Sequence, residues 1–146
     1  MSDTTGPVGE MTARAAYELL SGTPEAALID VRTAAEWAFV GVPDLSGLGK
    51  DVIFAEWQSF PSLQVVAGFA DALAVKLEAQ GAPTSAALVF ICRSGVRSLA
   101  AARAVSALGY NHCINLAGGF EGPCDASRHR GGLDGWKAQG LPWLQN

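Results

Sequence analysis

Histidine and cysteine are scarce in this sequence of 146 residues. The two histidines are His112 and His129, and the three cysteines are Cys92, Cys113 and Cys124, with no Cys-x-x-Cys pair among them. A zinc site made of cysteine and histidine would need almost all of these residues, so we expect no metal and no cofactor. Three thiols are also too few for a disulfide scaffold, which favours a reducing compartment and predicts a cytoplasmic location.

Long basic and long apolar runs are absent as well. The net charge of −4, from 10 Lys and Arg against 14 Asp and Glu, argues against a nucleic-acid partner. The chain has no run of 18 apolar residues and no signal-peptide pattern at its start, so we expect no membrane partner. With 49% hydrophobic and 16% charged residues, the chain is not intrinsically disordered. We predict one folded domain over 10–146, preceded by a loose segment over 1–9.

Apolar runs alternate with helix-like segments along the chain. Four strands are predicted at 27–31, 51–54, 86–91 and 112–116, with an ordered loop over 39–50. Helices are predicted at 11–21, with Thr12 as the expected cap, at 63–80 and at 98–108, and a short fourth helix follows the capping box of Thr33 and Glu36. This alternation predicts an α/β fold with a mostly parallel sheet, in which ligands bind beyond the carboxyl ends of the strands.

The strongest candidate for chemistry follows the most apolar strand, in the run Cys92-Arg93-Ser94-Gly95-Val96-Arg97-Ser98. The predicted strand delivers a cysteine to the amino-terminal end of a helix. The helix dipole and the converging N–H groups of the turn favour negative charge there, and two arginines add positive charge. A lone cysteine at the end of a strand is more often a packing residue, but this context favours a nucleophile or an anion site.

Motifs in a fixed order extend from about residue 10 to residue 143. Besides the cysteine loop they are Leu28-Ile29-Asp30-Val31-Arg32 with Glu36-Trp37, Asn115-Leu116-Ala117-Gly118-Gly119-Phe120, and Gly135-Trp136 with Gly140-Leu141-Pro142. In these motifs the chain resembles the single-domain rhodaneses, a family of sulfurtransferases. One departure is the stretch 39–44, which lacks a histidine that many members carry and therefore bears on substrate preference.

The resemblance implies a five-stranded, mostly parallel sheet with helices on both faces and a persulfide intermediate on Cys92. Sulfur would pass from a small anionic donor such as thiosulfate to cyanide or a thiol. The N–H groups of Arg93, Ser94, Gly95, Val96, Arg97 and Ser98 would hold the negative charge of the terminal sulfur. The side chains of Arg93 and Arg97 would bind the anionic end of the donor.

Three further residues are expected to support the site rather than to react. Asp30 would accept hydrogen bonds that fix a neighbouring loop, and Arg32 would pair with Glu36, four residues later. Trp57 is either a wall of the pocket or a packing residue. Cys113, inside a predicted strand, is expected to be a buried thiol, whereas Cys124 lies in a loop rich in Gly and Pro.

Three other functions stay open at this point. A Cdc25-like cysteine phosphatase or arsenate reductase would need an arginine six positions after the cysteine, where this chain has Ser98; Arg97 comes one residue early. A rhodanese module that only binds a partner would typically lack the loop cysteine. A carrier in a sulfur relay, with a protein as donor or acceptor, would use the same chemistry on Cys92.

Overall fold

The structure, a computed structural model, describes residues 8–58 and 64–145. The residue at which the third helix was expected to begin, residue 63, lies outside these ranges. The helices are α1 Ala13–Gly22, α2 Ala34–Phe39, α3 Phe69–Ala79 and α4 Val96–Ser106, with a short 3-10 turn at Ser46–Leu48. The strands are β1 Gly9–Met11, β2 Ala27–Asp30, β3 Val42–Pro43, β4 Ile53–Phe54, β5 Leu88–Ile91, β6 Cys113–Leu116 and β7 Trp143–Leu144.

Five of the strands form one parallel sheet in the order β1-β6-β5-β2-β4. The predicted α/β class and the five-stranded parallel sheet are therefore confirmed. The central strand β5 is buried along its whole length, which is why it reads as a continuous apolar run. Asp30 at the end of β2 lies opposite Ile91 at the end of β5, so the residues that follow both strands meet at the same edge.

Helices cover both faces of this sheet. One buried cluster joins the sheet to α3 and α4, and a second joins it to α1 and the segment around Trp136. Because side chains alternate along a strand, Leu88, Phe90 and Cys92 belong to the first cluster, and Val89 and Ile91 to the second. The alternation therefore places Cys92 on the face that α4 covers.

Three short strands, β1, β3 and β7, were not predicted from the sequence. The edge strand β1 pairs with β6 through Gly9 and Ile114, so part of the segment that was expected to be loose belongs to the sheet. Within the expected loop 39–50, β3 pairs antiparallel with β7 and forms a second, two-stranded sheet. All three strands depend on a partner far away in the chain, and strands of only two or three residues have too little periodicity to be predicted.

Side chains cap the starts of two helices. Thr12 caps α1, and Thr33 and Glu36 form the predicted capping box of α2. The other two helices follow glycines with positive φ, at 72° for Gly68 and 114° for Gly95. Helix α3 begins at Phe69 rather than at the expected residue 63, and α4 begins at Val96 rather than at the expected residue 98. Among the described residues, no helix is long and apolar enough to cross a membrane.

Candidate active site

Cys92 lies at the carboxyl end of β5 and is 1% exposed. Its Sγ atom accepts two hydrogen bonds, from the N–H of Gly95 at 3.1 Å and from the hydroxyl of Ser98 at 3.2 Å. The left-handed conformation of Gly95 lets the chain turn directly into α4, so the sulfur lies against the first turn of that helix. Both groups donate to the sulfur, so the described surroundings of Sγ include two hydrogen-bond donors.

Asn115 on β6 organises the donors around the sulfur. Its Oδ1 atom accepts a hydrogen bond of 2.5 Å from the Ser98 hydroxyl, and its Nδ2 atom donates to the carbonyl of Gly95 at 3.1 Å. Ser98 has a single hydroxyl proton, so Asn115 and Cys92 compete for it as acceptors. Asn115 belongs to one of the sequence motifs, but no role was predicted for it. A polar residue inside a fully buried strand of four residues was the signal available.

The glycine turn after β6 packs directly behind the cysteine loop. Gly119 has a φ of 61°, and a Cβ atom there would lie 2.5 Å from the Cys92 carbonyl oxygen and 2.6 Å from the Arg93 carbonyl. The N–H of Phe120 donates to the Cys92 carbonyl at 2.7 Å. Only glycine permits this approach, so the second glycine of the motif is required by packing against the loop.

Arg97 of α4 forms an ion pair with Glu36 of α2. Its Nη1 and Nη2 atoms donate to the two carboxylate oxygens at 2.7 and 2.9 Å. These hydrogen bonds raise the pKa of Arg97. Burial acts to raise the pKa of Glu36, but the hydrogen bonds and charge of Arg97, together with the Thr33 backbone, outweigh it and lower that pKa. The expected pair of Arg32 and Glu36 is therefore wrong, because Glu36 points across the cleft to α4.

Arg32 instead folds back on Asp30, two residues earlier, and both side chains are fully buried. Asp30 accepts from the Arg32 backbone N–H and from its guanidinium, with a shortest distance of 2.7 Å. The guanidinium also donates to the Gly41 carbonyl at 2.8 Å and stacks 4.3 Å from the centre of the Phe120 ring. This pair connects the end of β2 to the 39–44 stretch and to the residue that follows the glycine turn.

A cleft of roughly 770 Å³ opens above the sulfur. Among the described residues, five of the predicted site residues line it: Cys92, Arg93, Ser94, Val96 and Arg97. Other lining residues were not predicted for the site, notably Phe39, Gln58, Glu121 and Arg130.

Trp57 is not among the described residues that line this cleft; its ring packs edge-on against Phe69 at 5.1 Å, as a packing residue does. Cys124 is exposed. Cys113 is buried, and its burial raises the pKa of the thiol to about 11. The part of the chain that the structure describes contains no group of three or more His, Cys, Asp or Glu residues that could hold a metal ion.

A family model described as the STR4 middle domain matches residues 8–146. The chain belongs to this family. It is 42% identical to Rv0390 from M. tuberculosis, whose crystal structure superposes with a TM-score of 0.82 over 95% of this chain and 98% of that one. It is also 37% identical to protein RC0915 of Rickettsia conorii, over 88% of this chain and 90% of the relative.

Proteins named for rhodanese-like domains or sulfur transfer appear at lower identity. The chain is 26% identical to the chloroplastic rhodanese-like domain-containing protein 4 of Arabidopsis thaliana, over 94% of this chain and 26% of that protein. The solution structure of the 30 kDa polysulfide-sulfur transferase homodimer from Wolinella succinogenes is 23% identical, with a TM-score of 0.60 over 95% of this chain and 80% of that one. The expected likeness to rhodaneses therefore holds at the level of the fold, within a family defined by the STR4 middle domain.

Proposed function

We propose that this protein is a sulfurtransferase that carries sulfane sulfur as a persulfide on Cys92. The donor is a small anionic sulfur compound such as thiosulfate, and the acceptor is cyanide or a thiol. One observation carries the proposal: the sulfur of Cys92 accepts hydrogen bonds from Gly95 and Ser98 at the base of an open cleft. The rhodanese-like neighbours support the same class of reaction.

The first half-reaction loads the cysteine. The Cys92 thiolate attacks the outer sulfur of thiosulfate, a new S–S bond forms on Sγ, and the bond to the sulfonate sulfur breaks. The electron pair of that bond leaves with sulfite, so the charge of the protein is unchanged and no other oxidant is needed. Splitting the transfer into two steps in this way is covalent catalysis.

The second half-reaction removes the terminal sulfur and returns Cys92 to the thiolate. Cyanide attacks the terminal sulfur, the persulfide bond breaks, and the electron pair returns to Sγ as thiocyanate leaves. Between the two steps the terminal sulfur carries negative charge. The first N–H groups of α4, at Val96, Arg97 and Ser98, have no carbonyl partner within the helix and are suited to stabilise that charge.

The same geometry argues against phosphoryl chemistry. A phosphatase loop uses its arginine to clamp the phosphate oxygens. Here both terminal nitrogens of Arg97 are held by Glu36, which would have to release them before they could bind a phosphate. The arginine also comes five positions after Cys92, one residue earlier than the phosphatase spacing requires.

Mass spectrometry of the intact protein after incubation with thiosulfate tests the proposal. We expect the mass of one added sulfur atom, its removal by cyanide with release of thiocyanate, and neither event in Cys92→Ser. The matched control is the double variant Cys113→Ser/Cys124→Ser, which keeps only the proposed nucleophile and should load like the wild type.

Two outcomes would overturn the proposal. The first is a folded wild-type protein that takes up no sulfur from thiosulfate, or that keeps its activity in Cys92→Ser. The second is hydrolysis of an aryl phosphate at a higher rate than sulfur transfer, with no persulfide on Cys92, which would place the protein among the cysteine phosphatases.

A further inference from the structure

The cations of the cleft are not equivalent. Arg93, Arg97 and Arg130 all line it. Arg97 forms a two-point ion pair with Glu36, and both side chains are about one-fifth exposed. Among the described residues, neither Arg93 nor Arg130 forms an ion pair. A donor anion that enters the cleft therefore meets these two arginines as its available positive charges, whereas Arg97, which was expected to bind the donor together with Arg93, is paired with Glu36.

Arg130 is held in place by its own loop. Its Nη1 atom donates to the Gly122 carbonyl at 2.7 Å, and the N–H of the following Gly131 donates to the Glu121 carbonyl at 2.6 Å. One nitrogen of the guanidinium is thus anchored by a neutral carbonyl, which leaves its positive charge unneutralised. The side chain is half-buried, and this hydrogen bond further limits its conformations before a donor binds.

The same loop is fastened to the cysteine loop. The N–H groups of Glu121 and Gly122 donate to the Arg93 carbonyl at 3.0 and 3.1 Å. Arg130 is hydrogen-bonded to Gly122, and Gly122 is hydrogen-bonded to Arg93, so the two arginines lie on connected segments that line the same cleft as Cys92. A shift of the Arg130 loop away from the cysteine loop would break the hydrogen bonds to the Arg93 carbonyl.

We infer that Arg130, together with Arg93, binds the anionic end of the sulfur donor, and that Arg97 positions the loop without contacting the donor. This inference rests on the proposed function and names the residue that selects a donor with a sulfonate group. In the loading step, Arg130 would hold the sulfonate oxygens while the S–S bond breaks, and it would then face the charge of the departing sulfite.

The variants Arg130→Gln, Arg130→Lys and Arg128→Gln separate charge from structure. Arg128 is an exposed arginine of the same loop that does not line the cleft, so its variant is the matched control. In Arg130→Gln we expect KM for thiosulfate to rise about tenfold. Discharge of the loaded persulfide to 2-mercaptoethanol, an uncharged acceptor, should stay unchanged. Arg130→Lys keeps the charge and should restore most of the affinity, whereas Arg128→Gln should resemble the wild type.

Protection of Cys92 from iodoacetamide by sulfate gives a readout that does not require sulfur transfer. Sulfate resembles the sulfonate end of the donor, and the half-protecting concentration should rise about tenfold in Arg130→Gln and not in Arg128→Gln. If this dependence appears but thiosulfate never loads the wild type, the proposed function is wrong and the anion site stands.

The converse results would overturn the inference alone. Normal loading of the wild type with equal KM and equal sulfate protection in Arg130→Gln and Arg128→Gln would exclude Arg130 as the anion contact. Equal loss in Arg130→Gln and Arg130→Lys, accompanied by slower discharge to 2-mercaptoethanol, would assign Arg130 a structural role in the loop instead.

Discussion

Cys92 and Cys113 are both almost fully buried, at opposite ends of neighbouring strands, yet their hydrogen bonds run in opposite directions. The sulfur of Cys92 accepts bonds from Gly95 and Ser98, whereas the thiol of Cys113 donates to the Tyr110 carbonyl at 3.5 Å. Cys113 thus lies in a site that suits a neutral thiol, and its burial raises the pKa to about 11. Burial alone therefore does not distinguish the two thiols; the direction of their hydrogen bonds does, and it is consistent with the proposed role of Cys92 as the nucleophile.

The most direct test of this contrast is alkylation, in a Cys124→Ser background that removes the exposed thiol. A thiol with a pKa of about 11 is almost entirely protonated near neutral pH, and Cys113 has no opening to the cleft among its described surroundings. We expect iodoacetamide to modify Cys92 at least about 100-fold faster than Cys113. Peptide mapping of timed samples measures both rates. Comparable rates in the folded protein would remove the distinction between the two sites.

A second test disturbs the close contact between the glycine turn at Gly119 and the Cys92 loop. Gly119→Ala combines an unfavourable φ with a collision against the Cys92 and Arg93 carbonyls, so we expect a loss of about 2–4 kcal/mol in the free energy of unfolding. Gly140→Ala is the matched control, because Gly140 has a similar φ of 73° but nothing within 4 Å of its added Cβ. Urea unfolding of both variants measures the difference. Equal losses would mean that the glycine turn does not press on the loop.

A third test removes one of the two donors that set Cys92 apart. Ser98→Ala deletes the hydroxyl hydrogen bond to the sulfur and leaves the Oδ1 atom of Asn115 without that donor. We expect the rate of persulfide formation from thiosulfate to fall roughly 5- to 30-fold, the effect of about 1–2 kcal/mol. Stopped-time mass spectrometry follows the loading, and Ser106→Ala at the end of the same helix is the control. An unchanged rate would show that the Gly95 N–H suffices.

The smallest expected effect concerns the ion pair that anchors α4 beside Cys92. Because the pKa of Glu36 is lower in the folded protein than its usual 4.5, its pairing with Arg97 stabilises the fold above pH 4.5. That stability is lost as the pH falls through the folded value.

Glu36→Gln keeps an acceptor for the capping box but has no charge to lose. Between about pH 6 and pH 3.5, the wild type should therefore lose more unfolding free energy than this variant, by less than about 1 kcal/mol. Urea titrations at both pH values measure it. Parallel losses in the two proteins would show that the pair contributes no pH-dependent stability.

Local sequence patterns predicted the α/β class, the central strand that precedes Cys92, and the capping residues of α1 and α2. Each of these features depends on residues that are close in the sequence, either an apolar run or a side-chain oxygen at the start of a helix. The sequence motifs identified both the cysteine loop and the glycine turn, but they did not predict the contact between the two. The Asn115 contact with Ser98 was not predictable in this way, since it joins two elements 17 residues apart.

Which charged groups form pairs depends on tertiary packing. Arg32 has carboxylates two positions before it and four positions after it, and local spacing favoured the wrong one. Glu36 reaches Arg97, 61 residues away, because parallel packing brings the ends of β2 and β5 to one edge. The same packing carries Arg130 into the cleft from a loop with no periodic pattern. Sequence spacing describes neighbours along the chain, whereas the partners of a charge are set by how strands and helices pack.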